Sequence, residues 1–148
     1  MKFPRLAVRA VILSQGRLLL VNAYPGDTSD LWCAPGGGVE GGTSLADNLI
    51  REVGEETGLI IEVGDLLGVN EFKAPDNSFH QVEVFFQARV LSGELDPNWV
   101  DPEGVVARRG WFTREDVAKL RVKPGMLESL AWDRQGSAQY DPMELIVR

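Results

Sequence analysis

Between positions 51 and 59 the chain reads Arg51-Glu52-Val53-Gly54-Glu55-Glu56-Thr57-Gly58-Leu59. On a helix Glu52, Glu55 and Glu56 fall at i, i+3 and i+4, so three carboxylates share one face. Glutamate runs on helices are most often a solvated face. Three like charges side by side nevertheless repel one another, by roughly a few tenths of a kcal/mol per exposed pair and more once partly buried. A sequence chosen for helix stability alone would alternate signs. A divalent cation among the carboxylates relieves the repulsion, and an all-oxygen site suits Mg²⁺ or Mn²⁺, with phosphate oxygens and water completing the shell. Immediately upstream, Gly36-Gly37-Gly38 permits a close approach of backbone to a ligand or metal. Gly37 and Gly38 are therefore candidate substrate-binding positions. A glycine-rich loop feeding an acidic helix is poor design for a bare anion, but good design for a metal that bridges protein and diphosphate.

Other chemistries have less support. The single cysteine, Cys33, lies between Trp32 and Ala34 and reads as a small buried hydrophobe. With one histidine, His80, nucleophilic triads have one candidate base and no flanking motif. The formal net charge is −7, which disfavours long nucleic acid as a partner. A small polyphosphate is different, because a bound metal supplies the positive charge. No apolar run approaches the ~20 residues of a membrane span, and Arg9 interrupts what would be the apolar region of a signal peptide. With a lone cysteine, the expected location is cytoplasmic. Arg9, set in an apolar strand, is a candidate phosphate-binding residue, although an ordinary exposed strand position reads as well.

These residues need elements to hold them. The 148 residues suit one domain spanning 1–148. Residues 6–13 and 18–23 read as a strand pair joined by Ser14-Gln15-Gly16-Arg17, and 31–34 as a short strand. Ser44, followed three residues later by Asp47, predicts a helix start, and Gly58 its stop. Ala46, Ile50, Val53 and Thr57 are its expected core face. Residues 59–63 and 66–72 read as two extended segments. Phe79 to Leu91 reads as a long strand with Val82, Val84, Phe86, Ala88 and Val90 on the core face and Glu83 opposite. An acidic loop from Ser92 to Gly104 precedes a strand at 105–112. Thr113 caps a short helix to about Leu120, another helix covers 125–134, and the tail from Gln135 reads as irregular.

The acidic helix and its approach resemble the Nudix box, G-x5-E-x7-R-E-U-x-E-E-x-G-U with U a bulky aliphatic. Gly37, Arg51, Glu52, Val53, Glu55, Glu56, Gly58 and Leu59 match eight of its nine specified positions at the right spacing. Thr43 stands where the family has glutamate. The preceding Leu31–Glu40 segment and Trp111-Phe112 before a short helix are also similar to the family's layout. The resemblance implies an α/β fold, an α/β/α sandwich with a mixed β-sheet between helices, which the β-then-α pattern permits. It implies metal ligation by Glu52, Glu55, Glu56 and the Gly36 carbonyl, and Arg51 orienting the carboxylates. With Thr43 in place of the family glutamate, Arg51 is expected to be held less rigidly.

The implied reaction is attack of a metal-activated water on a diphosphate phosphorus, with a carboxylate as general base. Glu52 is the candidate within the box, and Glu103 or Asp101 the candidate on a later loop. The implied substrate is a small nucleotide, either ADP-ribose or a nucleotide sugar. The alternatives are a nucleoside triphosphate, or nucleotide binding with little turnover. Pro75, sixteen residues after Leu59, resembles a feature of the ADP-ribose-hydrolysing subgroup. Tyr24, Trp32 and Phe79 are candidates to stack on a base. Many relatives are dimers, so a homodimer is expected.

Overall fold

The computed structural model describes residues 3–147. Strands β1 (Arg5–Ser14) and β2 (Arg17–Asn22) form an antiparallel hairpin. Its turn places Gln15 and Gly16 at positive φ, the geometry that matches the twist of paired strands. Then follow β3 (Trp32–Cys33), β4 (Gly36–Gly38), α1 (Leu45–Thr57), β5 (Ile60–Lys73), β6 (His80–Ser92), β7 (Arg109–Phe112), α2 (Arg114–Ala118), α3 (Leu127–Trp132) and β8 (Gln139–Leu145). The strand order is β3-β2-β1-β6-β5-β8, with β4 paired to β1 and β7 to β2. The β1–β6 and β5–β8 pairs are parallel and the rest antiparallel, so the sheet is mixed.

The period-2 alternation of β1 splits the core into two layers. Val8, Ala10 and Ile12 pack with Leu49 and Val53 of α1 and with Leu59, Ile61 and Ala88. Val11 points the other way, with Leu18, Leu20 and Phe85, toward Val117 of α2 and Leu127 and Leu130 of α3. One helix therefore covers one face and two cover the other, giving the α/β/α sandwich. Among the described residues no helix is long and apolar enough to cross a membrane.

Several elements depart from the sequence reading. On α1 the buried residues are Asn48, Leu49, Glu52, Val53, Glu56 and Thr57, whereas Ile50 is 37% exposed. The face is rotated because polar groups inside it find partners. The two extended segments at 59–63 and 66–72 are one strand, β5, bent by register shifts near Val63 and Leu66 rather than broken. On β6 both faces are used: Ala88 is buried on the predicted face, with Phe86 and Val90 packed against the same core, while Gln81, Glu83 and Phe85 are buried on the opposite face. The tail expected to be irregular instead forms β8, a parallel partner to β5 from Gly68 to Lys73.

Candidate active site

Helix α1 is placed by local signals. The Ser44 hydroxyl accepts from the Asp47 N–H at 3.0 Å, and Gly58 takes the left-handed conformation, φ 75°, that ends the helix. So fixed, α1 turns Glu52 and Glu55 toward Glu103, carried by the loop between β6 and β7. One carboxylate oxygen from each of the three lies within 4.8 Å of the others. Glu52 is buried and Glu103 exposed. Burial, and next the Glu103 charge, push the Glu52 carboxyl above its ordinary range, against the pull of Arg51.

Glycines make room for this arrangement. A Cβ on Gly37 would lie 2.6 Å from Glu52 Oε2, one on Gly38 2.5 Å from Arg5 Nη2, and one on Gly36 would enter the β1 backbone at Val8. The close approach read from the sequence is present, and what approaches is the protein's own Glu52, Arg5 and β1.

Glu56 is not a member of the oxygen cluster. It is 8% exposed, and its Oε2 accepts from the Gly36 N–H at 3.2 Å. Burial pushes its carboxyl up to about 8, opposed by Arg9 and the Gly36 N–H and reinforced by Glu52 and Asp101. The Gly36 carbonyl, expected as a ligand, accepts from Arg9 Nη1 at 3.2 Å. The three glutamates that share a helix face thus separate into a pair that meets Glu103 and a third that accepts from the Gly36 N–H.

Arg51 corrects an expectation. Thr43 is exposed and offers it no charge, yet Arg51 lies 3.2 Å from Glu52, 3.3 Å from Glu55 and 3.6 Å from Glu40, and donates to Asn48 Oδ1 at 3.2 Å. Asn48 is itself fully buried and held: its Nδ2 donates to the Thr43 and Ser44 carbonyls, and its Oδ1 accepts from the Glu40 N–H. Glu40, three residues upstream of Thr43, supplies the outer carboxylate, and the arginine is not loosely held.

Of the two loop acids, Asp101 is 5% exposed, and its carboxylate accepts from the N–H groups of Glu103, Val105 and Val106. Its lone pairs fold the loop, and the acid that faces the cluster is Glu103.

The donor set fits a hard divalent cation. Three carboxylate oxygens converge beside the single guanidinium of Arg51 among the described residues, and burial first, then the Glu103 charge, raises the Glu52 carboxyl.

A cavity lies elsewhere, lined by none of these carboxylates, and Arg9 is part of its wall. Its Nε donates to Glu83 at 2.6 Å, and Nη1 to the Ala34 and Gly36 carbonyls at 3.2 Å each. Burial works against the Arg9 charge, but Glu83 above all holds it, so its pKa lies above the ordinary value. The cavity, about 770 Å³, is lined among others by Arg5, Arg9, Tyr24, Pro75, Phe79 and Lys123. Trp32 packs edge-on against Phe112 with centroids 5.0 Å apart, and so is not one of the cavity aromatics. Burial pushes the Cys33 thiol up to about 12, which removes it as a nucleophile. His80 meets Glu71 at 3.1 Å on the β5–β6 ladder.

A family model described as NUDIX domain matches residues 3–133. The chain is 35% identical over 92 residues to an ADP-ribose pyrophosphatase of Methanocaldococcus jannaschii, covering 62% of this chain and 54% of that protein. It is 34% identical over 108 residues to diphosphoinositol polyphosphate phosphohydrolase 3-alpha of Mus musculus, covering 72% of this chain and 60% of that protein. The chain thus spans between about half and three fifths of these curated relatives. A solved structure of a NUDIX hydrolase from Nitrosomonas europaea is similar at a TM-score of 0.73 and 26% identity, with 86% of each chain covered.

Proposed function

The chain belongs to the Nudix family, and from that premise we propose that it is a hydrolase that uses Mg²⁺ or Mn²⁺ to cleave the diphosphate linkage of a nucleoside diphosphate derivative, ADP-ribose or a nucleotide sugar. The observation that carries this reading is the convergence of Glu52, Glu55 and Glu103 on one point beside Gly37. Glu52 and Glu55 would hold the cation, with Glu56 and the Gly36 backbone supporting the site from behind. When bound, the cation neutralises phosphate oxygens and acidifies a water.

The remaining chemistry belongs to side chains of this protein. Glu103, exposed and carried on a loop, accepts the proton of the attacking water. Arg51, 3.2 Å from Glu52 and 3.3 Å from Glu55, holds the two carboxylates in place. Gly37 and Gly38 keep the path along β4 free of side chains. Arg9 forms part of the cavity wall. The cavity has room for a whole second moiety beyond the diphosphate, and Tyr24 and Phe79 give it aromatic walls. That favours a substrate with two substantial ends, in keeping with the ADP-ribose pyrophosphatase among the relatives.

A hydrolysis panel of ADP-ribose, nucleotide sugars and nucleoside triphosphates, with Mg²⁺ or Mn²⁺, tests the proposal. The expected products are a nucleoside monophosphate and a sugar phosphate, and Glu55→Gln is expected to lower turnover by about 100-fold or more with the fold intact. Release of pyrophosphate from triphosphates alone would overturn the substrate class. Tight nucleotide binding without hydrolysis would overturn the activity.

A further inference from the structure

Helix α1 ends with carbonyls that its own turns cannot satisfy, and it has no basic residue in its last turn. Two residues from distant parts of the chain complete it. The Trp99 indole Nε1–H donates to the Glu55 carbonyl at 2.8 Å, and Arg109 Nε donates to the Glu56 carbonyl at 3.0 Å. A cation at this end also complements the helix dipole. The contact is close: a Cβ on Gly58 would stand 2.9 Å from the Trp99 ring.

Both residues also hold the loop that carries Glu103. Trp99 lies within it, and Arg109, at its far end on β7, donates to the Trp99 carbonyl at 3.2 Å and to the Val106 carbonyl at 3.0 Å. Inside that span, buried Asp101 gathers the N–H groups of Glu103, Val105 and Val106. One guanidinium thus bonds the helix and the loop on either side of Glu103. The residues bonded on the helix, Glu55 and Glu56, are the ones whose side chains belong to the site.

We propose that Trp99 and Arg109 are positioning residues that latch the Glu103 loop to the C-terminal end of α1, and so set the spacing of Glu103 from Glu52 and Glu55. The inference rests on Glu103 acting in the proposed reaction. It explains why an exposed loop carboxylate arrives within 4.8 Å of two helix carboxylates that repel it. Displacement of a reacting group by about 1 Å is enough to cost orders of magnitude in rate.

The test is a double-mutant cycle between Trp99→Phe and Glu103→Gln, with amide hydrogen exchange read on the metal-free protein. Phenylalanine keeps an aromatic ring beside Gly58 and removes the indole N–H together with the second ring. Trp99→Phe alone is expected to lower kcat about 5- to 10-fold with KM within about two-fold, and to add less than about two-fold when Glu103 is already glutamine. Exchange of the Glu103, Val105 and Val106 amides is expected to quicken while the β1 and β6 amides stay protected. Arg109→Gln, which removes three bonds, should quicken the same amides further. If it also unfolds the core, the Trp99→Phe cycle still decides. Multiplying effects in the double variant, or unchanged exchange and rate in Trp99→Phe, would overturn the latch while leaving the site assignment standing. Wild-type turnover in Glu103→Gln would remove Glu103 from the reaction, and the latch with it.

Discussion

The carboxylate cluster and the cavity treat charge in opposite ways. On one side Glu52, Glu55 and Glu103 crowd together with Arg51 as their neighbouring cation. On the cavity side, Arg9 meets Glu83 at 2.6 Å, Lys123 meets Glu144 at 3.2 Å, and Arg5 meets the Gln81 amide at 2.5 Å. On the cavity side Arg9 and Lys123 have carboxylate partners and Arg5 a neutral amide, so no cluster of like charge builds up there. The carboxylate side sets three carboxylates beside one arginine, an excess of negative charge that a bound cation would offset. A buried ion pair costs desolvation and is repaid by its partner, whereas an unmatched cluster persists at a cost to stability and so points to function.

Breaking the matched side should have the largest effect on stability. Arg9→Ala strands Glu83, 5% exposed, together with the Ala34 and Gly36 carbonyls. Loss of one partner from such a pair costs about 3–5 kcal/mol, read as a lower urea midpoint at unchanged m-value. A loss within about 0.5 kcal/mol, the range of an ordinary surface change, would mean that the pairing carries little.

The unmatched side should show itself through pH. The folded pKa of Glu56, about 8, lies above its ordinary 4.5. Between those values the folded state holds a proton that the unfolded chain has released. The stabilisation is therefore full below about 4.5 and is lost as pH rises through about 8. Glu52 shifts in the same direction. Thermal melts of the metal-free protein should fall across this window, and Glu56→Gln should flatten the fall and melt higher at the alkaline end. A metal-free Tm that rises with pH across the window would contradict the burial of Glu56 as described.

The smallest effect is expected at the rim. Glu40 is largely exposed and lies 3.6 Å from Arg51, so Glu40→Gln should cost about 0.2–1 kcal/mol in a denaturant titration. Turnover at a fifth or less of wild type in that variant would show that Glu40 does more than steady an arginine already held by Asn48, Glu52 and Glu55.

How much of this was legible in the chain depended on sequence distance. The helix was, because Ser44, Asp47 and Gly58 act within a turn of its ends. The pairing of Glu52 with Glu55 followed from helical spacing. The separation of Glu56 did not, because it depends on where β4 lies across that face, with the Gly36 N–H twenty residues upstream. Strand β8 was hidden because its support is parallel pairing with β5, some seventy residues earlier, while Pro142 in a polar tail argues for a loop. Glu40 was missed because a fixed pattern looks for the acid at position 43, whereas a turn can present one from position 40. Asp101 and Glu103 could not be ranked: both are loop acids two residues apart, and only the fold turns one inward to the amides and the other toward the helix. Trp99 and Arg109 left no signal, since they bond helix carbonyls 44 and 53 residues away.

The central claim is that the Glu52–Glu55–Glu103 convergence is a cation site. Calorimetric titration of Mn²⁺ into the metal-free protein, with Glu55→Gln and Glu103→Gln beside it, tests that claim without reference to any substrate. The account predicts saturable binding to wild type, weakened about 10-fold or more by Glu55→Gln and by less in Glu103→Gln, which removes a neighbouring charge rather than a ligand. Equal affinity in all three proteins, or no saturable binding to wild type, would contradict it.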